Sequence, residues 1–208
     1  MTFDEQVVRE QICDVCHKMW QLGWVAANDG NVSVRIDEDT IIATPTGISK
    51  SFITPEKLVK LNMKGEVIEA NEGYRPSSEI KMHIRCYEER DDVKSVVHAH
   101  PPIATGFTLA HIPLDTYSLI ESAIVIGSIP ITPFGVPSTM AYYRMETLEL
   151  VAKSTFHGRM LLLTKGIEEK EISREKLEQM FKMRENYKVT GRHPGYKKYN
   201  PDGTVREV

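Results

Sequence analysis

Two histidines separated by one residue, His98 and His100, are the side chains of this sequence with the clearest capacity for chemistry. They follow a valine-rich run, residues 93–97, which is typical of a buried strand, and two prolines then end it. Because residues i and i+2 of a strand project to the same face, both imidazoles are expected on one side of a strand end. Neutral imidazole is a preferred zinc ligand, so the pair predicts a metal site. An isolated pair is equally consistent with one core and one exposed histidine, and the rest of the chain must decide.

Three clusters of small polar residues precede the histidines: Asn28-Asp29-Gly30-Asn31, Thr44-Pro45-Thr46-Gly47 and Pro76-Ser77-Ser78-Glu79. Backbone N–H groups beside glycine and hydroxyl residues form concavities that suit phosphate or carboxylate. Positive φ in tight turns explains Gly30 and Gly47 equally simply, and from sequence alone it is the stronger explanation. In the third cluster a serine is expected to cap a helix, with Glu79 in its first turn. There Glu79 is either a chemical group or a complement to the helix dipole.

Helices and strands must position these groups. Thr2 and Glu5 form a capping-box pattern for a helix that is expected to run to about Leu22 and to end at Gly23. Alternating apolar residues on both sides of an acidic turn, over 32–43, predict an antiparallel hairpin. Apolar spacing further predicts helices that begin at Glu79, over 103–109 and over 173–187.

Length and composition bound the class of protein. The 208 residues, 41% hydrophobic and 26% charged, are sufficient for one large α/β domain. Turn formers and cations mark a C-terminal tail over 191–208, so this domain is expected over residues 1–190. A net charge of −3 gives no electrostatic signature of a nucleic-acid or membrane-surface partner. Without an apolar run of spanning length or a signal-peptide pattern, a cytoplasmic location is expected.

The three cysteines, Cys13, Cys16 and Cys86, are expected to be reduced thiols rather than a disulfide framework. Cys13-Asp14-Val15-Cys16-His17 also matches the short pattern of covalent haem attachment. That alternative is disfavoured, because the cysteines continue the apolar stripe of an amphipathic helix.

The order of four motifs along the chain resembles the class II aldolase family, which includes L-fuculose-phosphate aldolase, L-ribulose-phosphate 4-epimerase and the non-catalytic head domain of adducin. The motifs are Gly30-Asn31-Val32-Ser33, Thr44-Pro45-Thr46-Gly47, Ser77-Ser78-Glu79 and His98-Ala99-His100-Pro101. The resemblance covers most of the chain through Thr139. It implies a three-layer α/β/α sandwich around a mainly antiparallel sheet, and a homotetramer with sites between subunits.

The resemblance also implies roles for individual residues. His98 and His100 would ligate Zn²⁺, and Glu79 would be the catalytic acid/base. Tyr117 matches a tyrosine that serves the aldehyde oxygen from a neighbouring subunit. The substrate phosphate would be bound by Gly30, Asn31, Thr46, Gly47, Ser77 and Ser78.

One part of the family pattern is missing. Family aldolases carry a third zinc histidine in a His-Gly pair on a downstream strand, and this chain continues from Thr139 directly into what resembles the following helix. The downstream His-Gly pair here, His157-Gly158, is expected at a helix end. Catalytic zinc usually has three protein ligands, and either His157 or Glu79 would be the third. The loss would also expose a sheet edge, which assembly or the apolar run 160–163 would cover.

The expected function is metal-dependent cleavage of a ketose 1-phosphate, such as L-fuculose 1-phosphate, to dihydroxyacetone phosphate and an aldehyde. Breaking a carbon–carbon bond next to a ketone leaves an enediolate, whose charge needs a Lewis acid and whose carbon needs a proton donor. The alternatives are sugar-phosphate 4-epimerisation by the same bond cleavage and a non-catalytic scaffold that lost a metal ligand. Sequence does not separate natural loss of the segment from an engineered deletion.

Overall fold

The computed structural model describes residues 3–112, 114, 119–126, 142–166 and 172–183. Their contacts divide into two compact units, the first extending through Pro102 and the second beginning at Ile103. The first unit holds the sheet and the four ordered motifs, the His157-Gly158 pair lies in the second unit, and Tyr117 lies outside the described residues. The expected single domain over 1–190 and the tail over 191–208 stay a prediction.

The first unit is built on a five-stranded antiparallel sheet in the order β4-β3-β2-β1-β5. The strands are β1 (Asn31–Arg35), β2 (Thr40–Ala43), β3 (Val59–Asn62), β4 (Val67–Glu69) and β5 (Ser95–His98). The predicted hairpin is confirmed as β1 and β2, and the valine-rich run is confirmed as β5. Helices flank this sheet, as an α/β sandwich requires.

The strand register decides which side chains share a face. Asn31 pairs with His98, and Ser33 pairs with both Ala43 and Val96. Paired residues point to the same face of a sheet, and so do residues two apart on one strand. Asn31, Ser33 and His98 therefore project together from one face, at the end of the sheet where β5 pairs with β1.

Helix α1 (Glu5–Gln21) packs along β1 and β2. Its N-cap is Asp4, whose carboxylate accepts a hydrogen bond from the Val7 amide, so the predicted capping box of Thr2 and Glu5 is wrong. An acidic side chain two residues further on competes successfully, because it lies directly at the first helical turn. The helix ends as predicted, with Gly23 in the left-handed region at φ +70°.

Helix α2 (Ile80–Glu89) packs against the sheet through an apolar cluster, to which both the helix and the strands contribute side chains. Isoleucines of the helix meet side chains of β2, β3 and β5, all on the sheet face that the register assigns to Ser33. The buried members are Ile41, Ala43, Val59, Leu61, Ile80, Ile84, Tyr87 and Val96. The site-bearing end of the sheet is thereby held against one end of α2.

The second unit contains α3 (Pro102–Leu109), a π-helical turn (Ser122–Ile126), α4 (Tyr142–Lys165) and α5 (Arg174–Met183). Its apolar cluster joins Ala104, Phe107 and Leu114 to Ala152 of α4. The buried carboxylate of Glu149 accepts hydrogen bonds from the first amides of α3, which have no partner within their own helix. The short helix predicted over 103–109 is confirmed.

One expectation about the second unit fails. His157 does not end a helix, because α4 continues past Gly158 to Lys165. A single helical glycine costs only about 1 kcal/mol relative to alanine, which strong helix formers on both sides offset. The apolar run 160–163 lies in the same helix, and whether this run or assembly covers a sheet edge stays a prediction. The helix predicted over 173–187 is found as α5, and residues beyond Met183 lie outside the described part.

Among the helices of the described residues, none combines the length and the apolar composition needed to cross a membrane. The structure joins no two of the three cysteines by a disulfide, and Cys13 and Cys16 are buried, while the reduced state stays a prediction.

Candidate active site

The two histidines lie side by side, as the strand period predicts. Their ring centroids are 4.9 Å apart with the planes at 45°. His98 ends β5, and the His100 amide donates to the Trp24 carbonyl at 2.8 Å, which holds the chain beyond the strand against the segment that follows α1. His98 is partly buried and His100 is exposed, so one ring is anchored and the other faces the surface.

Glu79 lies against this pair. Its Oε2 atom is 2.8 Å from His98 Nδ1 and accepts a second hydrogen bond from the side-chain amide of Asn31. A carboxylate only accepts, so His98 Nδ1 donates and its Nε2 keeps a lone pair for a cation or a substrate proton. Glu79, Asn31 and His98 therefore form one hydrogen-bonded group on the sheet face predicted by the register.

The start of α2 differs from the prediction. Glu79 itself occupies the N-cap position without a capping side-chain bond, and no serine caps the helix. Ser77 instead accepts a hydrogen bond from the Glu79 amide at 3.3 Å. The Glu79 carboxylate accepts hydrogen bonds from Asn31 and His98 instead of from the amides of the first helical turn.

The pKa of Glu79 is lowered from its usual value. Partial burial by itself raises this pKa. The charge of His98 and the hydrogen bonds from Asn31 and His98 lower it by more, so the net shift is downward. The group is therefore a carboxylate at neutral pH, which is the form that accepts a proton.

Backbone hydrogen bonds gather the three polar clusters. The Thr44 amide donates to the Val32 carbonyl, and the Val32 amide donates to Thr44 Oγ1, which ties the second cluster to the strand residue after Asn31. The Thr46 amide donates to the Arg75 carbonyl at 3.0 Å, beside an isolated bridge between Pro45 and Pro76. The Thr46-Gly47 turn thus lies between the first cluster and the serines.

Gly30 is required by close approach as well as by its conformation. Its φ is +72°, and a Cβ atom there would lie 2.6 Å from Val25 Cγ1 and 2.8 Å from the carbonyl oxygen of His98. Gly47 also has a positive φ, +75°, but nothing lies near its missing side chain. The structural explanation is therefore sufficient for Gly30, whereas the space beside Gly47 is open to a ligand.

A buried polar chain lies behind Glu79, and sequence reasoning missed it. His83, one helical turn after Glu79 and 1% exposed, shares a 2.7 Å hydrogen bond with Ser33 Oγ. Ser33 Oγ shares another 2.7 Å hydrogen bond with the Tyr87 hydroxyl. The spacing 79, 83 and 87 on α2 was the available signal, because residues four apart share a helix face.

The residues present fit a divalent cation in part. Two imidazoles beside a carboxylate are donors that suit zinc and related ions, and the buried Asn31 Oδ1 beside them has no hydrogen-bond partner in the described part of the chain. Among the described residues, however, no three His, Cys, Asp or Glu side chains gather as a metal-binding group. His98 and His100 are candidate ligands, and the third ligand stays open between Glu79 and His157.

Residues 10–166 match the family model of the class II aldolase and adducin N-terminal domain. The chain belongs to this family. Among its curated relatives is an L-fuculose phosphate aldolase of Methanococcus maripaludis, 28% identical over 171 residues that cover 68% of this chain and 92% of the relative. An L-fuculose phosphate aldolase of Escherichia coli is 35% identical over 124 residues, which cover 60% of this chain and 56% of the relative.

The class II aldolase family also supplies a relative with another activity. A 3-oxo-tetronate 4-phosphate decarboxylase of Pectobacterium atrosepticum is 29% identical over 135 residues, 62% of this chain and 60% of the relative. A solved L-fuculose 1-phosphate aldolase structure matches with a TM-score of 0.66 at 22% identity, over 88% of this chain and 96% of the other. The solved structure of the L-fuculose 1-phosphate aldolase from Glaciozyma antarctica gives 0.68 at 17% identity, over 86% and 81%. Both structural matches support the fold.

Proposed function

We propose that this class II aldolase family member cleaves a ketose 1-phosphate, of the L-fuculose 1-phosphate type, to dihydroxyacetone phosphate and an aldehyde. The observation that carries the proposal is the Glu79 carboxylate held 2.8 Å from His98, beside His100 and next to turns that suit an anion. The names of the relatives favour the same substrate class.

Glu79 is proposed to move the proton at carbon. In the condensation direction its carboxylate takes a proton from the carbon next to the carbonyl, and in cleavage the same carboxyl group returns the proton to that carbon. The lowered pKa of Glu79 keeps it ready to accept a proton in the free protein. A Zn²⁺ ion held by His98 and His100 would supply the Lewis acidity that stabilises the enediolate charge.

The phosphate is proposed to bind at the three polar clusters, through Gly30, Asn31, Thr46, Gly47, Ser77 and Ser78. Thr46 and Ser78 have side-chain hydroxyls without a hydrogen bond in the described part of the chain, so they are available to a ligand. The phosphate is not at the reacting carbon, so the energy of binding it positions the substrate. Tyr117, from a neighbouring subunit of a homotetramer, is proposed to serve the aldehyde oxygen.

The direct test couples triose-phosphate release to a dehydrogenase, with protein loaded with Zn²⁺, Co²⁺ or Mn²⁺. Glu79→Gln is expected to lower kcat about 10²–10⁴-fold, because the amide cannot shuttle a proton. Glu72→Gln removes an exposed acid before the same helix and is the matched control, with kcat expected to be unchanged. Absence of turnover with every metal and every ketose 1-phosphate tested would reject aldol cleavage.

Metal content as purified tests the metal proposal separately. His98→Ala and His100→Ala are each expected to lower bound Zn²⁺, because each would remove one of two adjacent imidazoles. His157→Ala then decides whether this residue completes the site. Stoichiometric metal that survives all three substitutions would show that the ion binds elsewhere.

Two further activities share the chemistry, and one relative favours the first of them. Decarboxylation of a 3-oxo acid phosphate also leaves an enediolate, with carbon dioxide in place of the aldehyde, so release of carbon dioxide identifies it. A 4-epimerase would convert a sugar phosphate to its isomer without free aldehyde. The lack of a third gathered ligand among the described residues favours a binding scaffold, and a protein that takes up no metal would support that role.

A further inference from the structure

Lys50 is a buried ammonium group beneath the polar clusters. The residue is 1% exposed and begins a short 3₁₀ helix (Lys50–Phe52). Nζ donates to the carbonyl of Asn28 at 3.2 Å and to the carbonyl of Ile48 at 3.0 Å. Asn28 leads into Gly30-Asn31, and Ile48 directly follows Gly47. One ammonium group therefore links the backbones of two proposed phosphate-binding turns.

The charge of Lys50 has no anionic counterpart nearby. Within the described residues no carboxylate lies within ion-pair distance of Nζ, and its two acceptors are neutral carbonyls. Burial raises the pKa of the neighbouring Cys16 thiol to about 12, so that group is not an anion at neutral pH. Asp29 attracts the ammonium group only from a distance.

A buried, unpaired charge is costly, and the cost is visible here. Burial lowers the pKa of Lys50 from its usual value, whereas an adjacent anion would raise it. A methionine of similar length would fill the same space without this cost. Lys50 therefore does not serve the stability of the free protein. It lies between two turns that offer N–H and hydroxyl donors, where its charge would favour an anionic ligand.

We infer that Lys50 is a positioning residue for phosphate: it fixes the spacing of the Asn28–Asn31 and Thr46–Ile48 turns and supplies, from beneath, the positive charge that makes the cradle accept a dianion. The inference rests on the proposed sugar-phosphate function and adds a residue that does not itself touch the substrate. It predicts that the preference for a phosphorylated ligand depends on a side chain that is hidden from solvent.

The first test measures binding of inorganic phosphate to the whole protein by titration calorimetry at constant ionic strength. Lys50→Met removes the charge and both hydrogen bonds, and it is expected to weaken phosphate affinity at least about tenfold. Lys57→Met removes a half-buried charge seven residues later, whose Nζ donates to the Phe52 carbonyl, and is the matched control, expected to stay within about twofold. Arg75→Met tests the rival explanation that an exposed arginine beside the turns provides the charge.

A readout specific to positioning separates this role from a general effect on folding. Lys50→Met is expected to raise KM for the phosphorylated ketose with little change in kcat, and to leave KM for the unphosphorylated ketose unchanged. If Lys50→Met does not fold, ¹³C-labelled lysine in the unaltered protein gives the second measurement, with the signal assigned through Lys50→Arg. The Lys50 signal is expected to shift during a phosphate titration with the same saturation as the calorimetric curve.

The outcomes distinguish this inference from the proposed function. Phosphate binding that is equal in the unaltered protein and Lys50→Met, or lost in Arg75→Met instead, overturns the role of Lys50 and leaves the sugar-phosphate proposal standing. A Lys50 signal that stays fixed while phosphate saturates the protein also overturns it. Loss of phosphate binding in Lys50→Met supports the inference even if no aldol cleavage is found. No phosphate binding to the unaltered protein overturns both.

Discussion

The two faces of the sheet are covered by helices with different interiors. On the α1 face the buried side chains of the helix are almost all apolar, and the one charged residue among them, Arg9, is held by Glu5 and by two backbone carbonyls. On the α2 face the apolar cluster gives way to Glu79, His83 and Tyr87, spaced one helical turn apart. The buried side chains of α1 form a core, whereas those of α2 form a core and also support Glu79 and the histidines.

The difference follows from where the strands end. Asn31 begins β1 and His98 ends β5, and both project toward α2 rather than toward α1. Polar groups on the inner side of α2 have to satisfy each other, because His83 and Tyr87 are buried there. The network of Ser33, His83 and Tyr87 lies next to the site, and His98 and Glu79 act on His83 electrostatically.

The largest expected effect tests whether both faces are true cores. Ile41 and Ile42 are adjacent on β2, fully buried, and point to opposite faces. Ile41→Ala and Ile42→Ala are each expected to lower the free energy of unfolding by about 3 kcal/mol, measured by urea denaturation. A loss below about 1 kcal/mol for Ile41→Ala alone would mean that the α2 face is loosely packed.

Acid is expected to affect the α2 face selectively. Burial lowers the pKa of His83 to about 4, with a further lowering by the charge of His98 and an opposing effect of Glu79. The unfolded chain takes up a proton near pH 6.5 and the native His83 does not, so stability present above pH 6.5 is lost as the pH falls toward 4. Between pH 7 and pH 5 this loss is expected to be about 2 kcal/mol.

Urea denaturation at several pH values checks this dependence. His83→Phe removes the titrating group and is expected to flatten the slope between pH 7 and pH 5. The control is His111→Asn, which replaces an exposed histidine at φ +55° by a residue that tolerates this conformation. An unchanged slope in His83→Phe would assign the acid sensitivity to another group.

Removal of one hydroxyl is expected to have a smaller effect. Ser33→Ala leaves the buried His83 Nδ1 and Tyr87 hydroxyl without their shared partner, at a cost of about 1–2 kcal/mol. Ser95→Ala, on the opposite face of the neighbouring strand, is the control, with a change of less than about 0.5 kcal/mol. The double variant Ser33→Ala/Tyr87→Phe should cost less than the sum of its parts, and strict additivity would argue against a coupled network.

The smallest effect is expected on the outer side of α1. Asp14 and Lys18 form an ion pair at 2.7 Å, but their side chains are 60% and 45% exposed. Asp14→Asn is expected to change the free energy of unfolding by less than about 0.5 kcal/mol, in low and high salt alike. A loss above 1 kcal/mol would show that α1 depends on surface charge more than its buried stripe suggests.

Sequence periodicity was sufficient to predict the part of the site that depends on strands. The period of two placed His98 and His100 on one side, and their rings are found adjacent. The hairpin was predictable for the same reason. The role of the two histidines as metal ligands, which the strand spacing and the family resemblance both predict, stays a prediction, and so does the role of Glu79 as acid/base.

The rest depended on tertiary contacts that local pattern does not encode. Lys50 lies between serines in a polar stretch that is typical of an exposed loop, yet two turns close over it. The capping-box pattern predicts an N-cap at Thr2, but Asp4 is closer to the first turn and caps the helix. The pattern around His157-Gly158 predicts a helix end there, but α4 continues through that glycine.

The bridge between Pro45 and Pro76 limits the backbone hydrogen bonds that can join the Thr46-Gly47 turn to the Ser77-Ser78 segment. Proline has no amide proton, so the pairing cannot grow into a ladder, and the Thr46 N–H to Arg75 carbonyl bond is the link there. Opening that bond would separate the Thr46-Gly47 turn from the serines without disturbing the sheet, while Lys50 still holds the turn to the Asn28–Asn31 segment. The Thr46 amide proton should therefore exchange with solvent early in the free protein and slowly once phosphate spans the gap, which makes it a natural reporter of occupancy.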